Sequence, residues 1–360
     1  MKKMKLLSII VPTYNMEKYL HKCLDSLIVS DENMEKLEVL VVNDGSTDSS
    51  SRIAHEYEVK YPQTFRIIDK ENGNYGSCIN RGLEEVTGKY VKVLDADDSF
   101  VAETLDKFIA YLQDKDVDLV INDFVIVDEN DIVTESYTFD LATNKDFTLR
   151  DIPKAMIEWI WHHGITYKTD ILKIIDYQQT EGVSYTDDEW IFMPMHCVES
   201  VAYFPYVLYR YLIGREGQTF APEVMKSSFD KRIIVGKSMV QYFAGIEQKV
   251  SNAAKSYMTE KLRSRLSVIY NFYLTKEYSR EGNERLKEFD LFIKRQSQFV
   301  YDLLAQRKDK LFGKNYINEW RLSNYASSPY LFMRRIKFRM RLLFGKQYRN
   351  IHMPDNLRRP

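Results

Sequence analysis

The chain has 360 residues, more than one hydrophobic core usually holds, and this length predicts two domains. Its 51 basic and 52 acidic residues leave a formal charge of −1, which gives no reason to expect nucleic acid as a partner. Three widely spaced cysteines argue against a disulfide framework and against a CxxC metal site, and they favour a reducing cytoplasm.

Short β-branched runs alternate with amphipathic stretches over the first 125 residues. The runs predict strands at residues 7–11, 39–42, 65–68, 90–94 and 119–125. The stretches between them predict helices at residues 17–28, 49–57, 77–85 and 102–112, with Asp48 and Ser77 as N-caps. This alternation is typical of an α/β fold with a mostly parallel sheet flanked by helices. Ligands of such sheets bind beyond the carboxyl ends of the strands, so we expect functional residues there.

The rest of the chain changes character twice. Residues 129–211 are mixed, with strands predicted at 132–139 and 200–204 and helices near Ile152 and Asp188. Beyond Pro222, charged helical stretches predominate, at about residues 226–307 and 330–344. We therefore expect an α/β domain at residues 1–220 and an all-helical C-terminal domain at residues 221–360. No run of eighteen apolar residues occurs, so we expect no segment to span a membrane.

Three carboxylates, Asp95, Asp97 and Asp98, follow the predicted strand at residues 90–94. Carboxylates packed this closely repel one another unless a cation compensates them, and their hard oxygen atoms suit Mg²⁺ or Mn²⁺. The pattern therefore indicates a metal site. A solvated acidic turn, with Asp98 or Ser99 capping the next helix, is the alternative that the pattern leaves open.

A second polar turn, AsnAspGlySerThrAsp at residues 43–48, follows the predicted strand at residues 39–42. Gly45 permits a tight turn and Asp44 points into the crevice, where its carboxylate can accept a hydrogen bond from the imide N–H of a uracil. An ordinary strand-to-helix turn with Asp48 as the N-cap is the alternative interpretation.

Four motifs occur in a fixed order: ProThrTyrAsn at 12–15, AsnAspGlySerThrAsp at 43–48, a glycine-containing segment at 71–82 and LeuAspAlaAspAsp at 94–98. In order and spacing they resemble the family 2 glycosyltransferases, over about residues 5–125 and more thinly to about residue 220. The resemblance implies a GT-A fold, a nucleotide-sugar donor and inversion at the anomeric carbon. A UDP-sugar is the donor that Asp44 favours.

The resemblance also assigns donor-side roles. The loop around the nucleotide base corresponds to Pro12, Thr13 and Tyr14, and Asp44 corresponds to the carboxylate that reads uracil. Asn80 and Arg81 match positions that approach the donor, with Gly73 and Gly76 allowing close passage of the backbone. Asp95 matches the position that faces the ribose, and Asp97 matches the ligand of Mn²⁺ or Mg²⁺ beneath the diphosphate.

An inverting transfer also needs a base that removes the proton of the acceptor hydroxyl. The family has an aromatic residue three positions after its catalytic aspartate, and aligning that residue with Trp190 makes Asp187 the base. Thr186 stands where the family usually has glutamate, so Asp188 stays open as the base and is otherwise expected beside the acceptor. His163 is predicted to contact the acceptor, with a structural role as its alternative.

Two further stretches carry basic residues. Arg215 and Gln218 lie in a polar segment that either folds over the diphosphate or forms a plain loop. Residues 330–349 contain many basic residues, interleaved with apolar ones, and no acidic residue. Such a helix can lie on an anionic membrane surface, near a lipid-linked acceptor. Packing against the protein body or assembly of a homo-oligomer is the alternative use of this helix.

These observations predict an inverting, metal-dependent glycosyltransferase of the cytoplasm, held peripherally on the inner face of the cell membrane, that acts on a glycan or lipid-linked intermediate of surface polysaccharide synthesis. A sugar-nucleotide pyrophosphorylase is one alternative, although the GlyxGlyThrArg segment expected after its first strand is missing. A non-catalytic membrane-surface or scaffold protein on the same fold is the other. Sugar transfer in an assay separates the glycosyltransferase from the pyrophosphorylase, and donor binding without turnover favours the non-catalytic protein.

Overall fold

The computed structural model describes residues 5–215, 222–306 and 313–343. The described residues divide into two compact units, one holding residues 5–215 and the other the remaining two ranges. The domain boundary predicted near residue 220 lies outside the described residues.

Among the described residues, the first unit is built on a nine-stranded mixed sheet. In chain order the strands are β1 (Leu7–Thr13), β2 (Leu37–Asn43), β3 (Phe65–Asp69), β4 (Tyr90–Val93), β5 (Ser99–Phe100), β6 (Leu119–Val127), β7 (Val133–Tyr137), β8 (Ile165–Lys168) and β9 (Val201–Leu212). Their order across the sheet is β3-β2-β1-β4-β8-β6-β9-β5, and β7 pairs with β6.

The strands β3, β2, β1 and β4 are parallel, and every residue of β1 and β2 is buried. Burial on both faces explains why these strands are apolar without alternation. From β8 onwards the sheet is mixed, since β8 runs antiparallel to β4 and β6 while β9 runs parallel to β6. The α/β fold class is confirmed, but a mostly parallel sheet holds only for the first four strands. The strands β6 and β7 form an antiparallel hairpin and not a parallel pair, because only a short turn at residues 128–132 connects them. The Asp128 carboxylate accepts hydrogen bonds from the amides of Asn130 and Ile132 in this turn.

Eight helices accompany this sheet in the described part of the first unit: α1 (Leu20–Asp25), α2 (Asp31–Met34), α3 (Ser50–Lys60), α4 (Asn74–Glu85), α5 (Ala102–Gln113), α6 (Lys154–Ile157), α7 (Thr169–Ile174) and α8 (Asp187–Trp190). The N-cap of α3 is Ser49, one residue after the predicted Asp48, but the carboxylate of Asp48 still accepts a hydrogen bond from the amide of Ser50 in the first turn and another from that of Glu17. The predicted N-cap Ser77 is wrong. Helix α4 begins three residues before Ser77, whose hydroxyl donates to the Asn74 carbonyl.

All the regular secondary structure in the described residues of the second unit is helical, which confirms an all-helical C-terminal region. Its helices are α9 (Pro222–Ile246), α10 (Asn252–Asn271), α11 (Arg280–Gln296), α12 (Gln298–Gln306), α13 (Tyr316–Leu322) and α14 (Pro329–Leu343), with a π-helical turn at Phe272–Lys276. A buried ion pair joins α11 to α13, with Arg321 Nη2 2.6 Å from Asp290 Oδ1. In the described part of the chain, no helix is both long enough and apolar enough to cross a membrane.

Candidate active site

The loops after β1, β2 and β4 meet at one edge of the sheet. Thr13 at the end of β1 lies opposite Asn43 at the end of β2, and the amide of Asp44 donates to the Thr13 carbonyl. The amide of Leu94, just past β4, donates to the carbonyl of Ile10. The side-chain oxygen of Asn15 accepts from the amide of Thr47 and ties the first two loops together. The parallel strands therefore bring residues 12–15, 43–48 and 94–98 to one edge, as expected from the sequence.

The carboxylate of Asp95 is held by two neighbours. The hydroxyl of Tyr75 donates to its Oδ1 at 2.9 Å, and Nε2 of His162 lies 3.3 Å from its Oδ2. Burial by itself would raise the pKa of Asp95, but the charge and hydrogen bond of His162, together with the hydrogen bond of Tyr75 and the charge of Arg215, outweigh that effect and lower it. Asp95 is therefore ionised in the folded protein at neutral pH.

Asp97 forms an ion pair with Arg215, whose Nε lies 2.5 Å from Asp97 Oδ2. Burial raises the pKa of Asp97, the charge of Asp95 raises it further, and Arg215 opposes both effects. Arg215 thus supplies a cation to the acidic turn. The structure places Arg215 at the site, whereas Gln218 lies outside the described residues.

Asp98 serves the fold. Its buried carboxylate accepts hydrogen bonds from the hydroxyl of Tyr209 at 2.6 Å and the amide of Leu212 at 2.7 Å, both in β9. Burial and the charges of the two neighbouring aspartates raise its pKa well above the usual range. It does not cap the next helix, because α5 begins at Ala102 with Val101 as its N-cap. Asp98 instead fixes the acidic turn against the sheet.

Asp187 begins the one-turn helix α8, and its side chain is 40% exposed. Its Oδ2 lies 3.8 Å from Nδ1 of His162, the same ring that contacts Asp95. Asp188 is buried, at 8% exposure. The structure therefore brings Asp187 to the acidic edge as an accessible carboxylate, while Asp188 has little access to solvent.

Sequence reasoning singled out His163 and missed His162. His162 and His163 lie in a 3₁₀ turn, His162–Gly164, with ring centroids 3.8 Å apart, and it is His162 that reaches the carboxylates. The ring of His163 lies 4.3 Å from that of Tyr211, 4.7 Å from that of Tyr209 and 5.4 Å from that of Phe124. It is 3% exposed, so an acceptor would have to displace an aromatic ring to contact it. The geometry gives no support to the predicted acceptor contact of His163.

Both ring nitrogens of His163 are buried without a hydrogen-bond partner among the described residues. Burial, followed by the charges of His162 and Lys92, lowers the pKa of His163 well below its usual value. The unfolded chain binds a proton on this ring below pH ~6.5, whereas the folded chain resists it, so the stability contribution of neutral His163 is present above pH ~6.5 and is lost as pH falls below it.

His163→Phe should therefore make the free energy of unfolding depend less on pH below about pH 6.5. The ring stays among aromatic neighbours, and the slope of the unfolding free energy between pH 6.5 and 5.5 should decrease by up to about 1.4 kcal/mol per pH unit. Urea unfolding at the two pH values measures this slope. His55→Gln is the control of opposite sign, because the hydrogen bond that the His55 ring donates to Asp69 raises the pKa of His55. An unchanged slope in His163→Phe would contradict the prediction.

Asp44 is 2% exposed, and its carboxylate already accepts three hydrogen bonds. Lys70 Nζ and the amide of Gly73 lie 2.7 and 2.9 Å from Oδ1, and the amide of Asn74 lies 2.9 Å from Oδ2. A uracil N–H would have to share Oδ2 with that amide, and the uracil contact of Asp44 stays a prediction. Of the three residues predicted around the base, Pro12 and Thr13 are buried at the end of β1, and Tyr14 is exposed.

Asn80 and Arg81 are engaged with the protein. The amide nitrogen of Asn80 donates to the carbonyl of Gln179, and its oxygen accepts from the amide of the same residue. Arg81 forms ion pairs with Glu84 and Glu85 on its own helix. These contacts give no support to the predicted donor roles. Asn80 instead fastens α4 to the segment that leads to α8.

Gly76 serves the same contact between α4 and residues 179–180. A Cβ on Gly76 would lie 2.1 Å from the carbonyl oxygen of Thr180, so only glycine allows the two backbones to approach this closely. The resemblance implies that the backbone at Gly76 passes close to the donor. In the structure the close neighbour of Gly76 is the backbone of Thr180.

The residues present fit a divalent cation. Asp95, His162 and His163 offer ligand atoms that lie within 4.8 Å of one another, and Asp97 is on the same turn as Asp95. Carboxylate and imidazole donors suit Mn²⁺, and carboxylate with substrate phosphate suits Mg²⁺. Burial first, and then the charges of neighbouring aspartates, raise the pKa values of Asp97 and Asp98, and a bound cation would offset both effects.

A sheet of this topology with an acidic turn at its edge defines a GT-A type of fold. The S. aureus TarS fragment 1–349, solved in complex with UDP-GlcNAc, superposes with a TM-score of 0.66 at 22% identity, covering 83% of this chain and 84% of that one. Residues 8–172 match the model of the family described as Glycosyl transferase family 2. This part of the chain is a family 2 glycosyltransferase domain.

Curated relatives agree with this assignment over parts of their length. An uncharacterised glycosyltransferase of Mycoplasma pneumoniae is 40% identical over 108 residues, which are 29% of this chain and 36% of the relative. The minor teichoic acid biosynthesis protein GgaB of Bacillus subtilis is 26% identical over 250 residues, 68% of this chain and 27% of the relative. The chain thus spans about a third of the length of these relatives.

Proposed function

We propose that this chain transfers a sugar from a nucleotide-diphosphate sugar, in the first instance a UDP-sugar, to a hydroxyl acceptor with inversion at the anomeric carbon. One observation carries this proposal: the exposed carboxylate of Asp187 lies across a single imidazole ring from Asp95. This arrangement supports Asp187 as the base, because it lies near the carboxylate assigned to the donor, on the edge where ligands of such sheets bind.

In the proposed reaction Asp187 removes the proton of the acceptor hydroxyl, and the hydroxyl oxygen attacks the anomeric carbon from the face opposite the nucleotide. A bond from carbon to the acceptor oxygen forms as the bond from carbon to the diphosphate oxygen breaks. Asp97, on the acidic turn with Asp95, would hold Mn²⁺ or Mg²⁺. A bound divalent cation would supply positive charge to the departing diphosphate.

The similar proteins indicate which substrates to test first. The UDP-GlcNAc complex of TarS makes a UDP-N-acetylhexosamine the first donor to test. The similarity to GgaB, a minor teichoic acid biosynthesis protein, makes a teichoic acid or its lipid-linked precursor the first acceptor to test. Release of UDP and labelling of the acceptor, measured with and without Mn²⁺, test the proposal. Nucleotide binding without turnover would favour the non-catalytic alternative, and exchange of pyrophosphate with a UDP-sugar would favour the pyrophosphorylase.

Helix α14 supports a peripheral membrane partner. Four apolar residues of the helix are exposed by 43–57%, namely Phe332, Met333, Ile336 and Met340. Lys337 and Arg339 lie between them in the sequence, and no acidic residue interrupts residues 330–349. An apolar face with cations beside it complements an anionic bilayer surface. Residues 344–349 of the predicted basic helix lie outside the described residues.

Phe332→Ser with Ile336→Ser should weaken binding to phosphatidylglycerol vesicles by about tenfold or more, because two exposed apolar side chains no longer enter the bilayer. Vesicle flotation measures the effect. Val268→Ser in α10, another exposed apolar residue of the same unit, is the control and should bind as the native chain does. The native chain could instead fail to bind the vesicles and form oligomers, while the double variant stays monomeric. That result would show that this apolar face mediates self-association and not membrane binding.

A further inference from the structure

His162 lies between the two carboxylates that the proposed function assigns to the base and to the donor side. Its Nδ1 is 3.8 Å from Asp187 Oδ2, and its Nε2 is 3.3 Å from Asp95 Oδ2. The two nitrogens of one ring therefore face two carboxylates that are 92 positions apart in the sequence. The proposed reaction assigns no role to this residue, which otherwise is a candidate cation ligand together with Asp95 and His163.

The ring of His162 is held firmly in this position. It is 7% exposed, packs on His163 and meets the ring of Tyr209 edge-on at 6.3 Å. Lys92 of β4 holds the turn that carries this ring, because its ammonium group donates to the carbonyls of His163 and Ile165 at 2.8 and 3.1 Å. Lys92 is fully buried in β4. The sheet itself therefore sets the place of the imidazole.

Asp187 needs such support. It is the first residue of a helix of four residues, and its side chain is partly in solvent. A carboxylate in this position has several staggered side-chain conformations available, and a base is effective in the one that meets the acceptor hydroxyl. An imidazole that is fixed by the sheet and attracts the carboxylate restricts this choice.

We propose that His162 is a positioning residue, which orients the carboxylate of Asp187 toward the acceptor and links that orientation to Asp95 on the donor side. This inference rests on the proposed function. His162 does not contact the reacting atoms, so it acts on the rate of transfer and leaves nucleotide binding largely unchanged. Asp95 keeps its hydrogen bond from Tyr75 when the imidazole is removed.

Kinetics of three variants test the proposal. His162→Ala should lower kcat by about 100-fold, the cost typical of a misplaced catalytic group, with the KM for the UDP-sugar changed by less than about threefold. His162→Gln retains one N–H donor and should recover part of kcat. His196→Gln is the control, a histidine of the same unit that bonds the Met193 carbonyl, and it should leave both constants unchanged. Native kcat in His162→Ala, or equal losses in kcat and nucleotide affinity, would overturn the proposal.

Nuclear magnetic resonance gives a readout that does not depend on transfer. In the full chain with ¹⁵N-labelled histidine, the resonances of His162 are those absent from His162→Gln. Asp187→Asn should shift them and leave those of His196 unchanged, and the absence of a shift would overturn the contact. If the native chain transfers no sugar, the proposed function fails. The resonance measurement still shows whether His162 contacts Asp187. A large ¹⁵N shift of one His162 ring nitrogen on titration with diamagnetic Zn²⁺ would make His162 a metal ligand and would also overturn the proposal.

Discussion

Asp187→Asn should lower the rate of sugar transfer by about 1,000-fold or more and leave binding of the UDP-sugar intact. The amide cannot accept the proton of the acceptor hydroxyl, and general-base catalysis typically contributes between about 100- and 10,000-fold. The shape of the residue is kept, so the contact with the donor side should survive. Single-turnover transfer and calorimetric titration with UDP measure the two quantities.

Asp188→Asn is the matched control for this experiment, because it makes the same chemical change at the next residue. Asp188 is buried, so its substitution should affect transfer far less than that of Asp187. Loss of transfer in Asp188→Asn with activity retained in Asp187→Asn would move the base to Asp188. Comparable transfer by Asp187→Asn and the native chain would remove Asp187 from the reaction.

The second large effect is expected at Asp97. Asp97→Ala should weaken UDP binding in the presence of Mn²⁺ by about 100-fold or more and leave the much weaker binding without metal nearly unchanged. The reason is that the proposed cation joins the diphosphate to this carboxylate, so its contribution to nucleotide binding is lost with its ligand. Calorimetric titration with UDP, with and without Mn²⁺, measures this difference. Equal metal dependence in the variant and the native chain would contradict the assignment of Asp97.

Arg215→Ala complements this experiment, because it frees the carboxylate of Asp97 for a cation, whereas Asp97→Ala removes that carboxylate. In the structure the guanidinium of Arg215 pairs with Asp97, and a cation must compete with it for that carboxylate. Removal of the guanidinium should raise the affinity of the chain for Mn²⁺ alone. A lower affinity would show that Arg215 assists the site when metal is bound.

The comparison of prediction with structure is clearest in the first four parallel strands. The predicted ranges 7–11, 39–42, 65–68 and 90–94 differ from the observed strands by at most two residues at either end. Strands buried on both faces are continuous apolar runs, and such runs are visible without knowledge of their neighbours. Helix starts were less visible. Residues at the starts of both helices contact distant segments: the carboxylate of Asp48 accepts from the amide of Glu17, and the amides of Gly73 and Asn74 donate to Asp44.

The two histidines show a second kind of limit. Two adjacent residues of the same type carry the same local signal, and nothing in the sequence tells which ring faces the carboxylates. Lys92 from β4 fixes the turn, and aromatic rings from β6 and β9 enclose His163, which leaves His162 toward Asp95 and Asp187. Each of these neighbours is distant along the chain.

The sequence by itself determined the family 2 resemblance, the α/β class and the carboxylates that follow the strands, because short motifs and strand periodicity are local properties. Only the tertiary structure decided what each polar side chain contacts. In the structure Arg215 forms an ion pair with Asp97, and Asp98 accepts a hydrogen bond from Tyr209 in β9. Asn80 donates to the carbonyl of Gln179, and His162 lies between Asp95 and Asp187. The physical reason is that a carboxylate or an imidazole takes its role from partners within about 4 Å, and folding brings those partners from far along the chain.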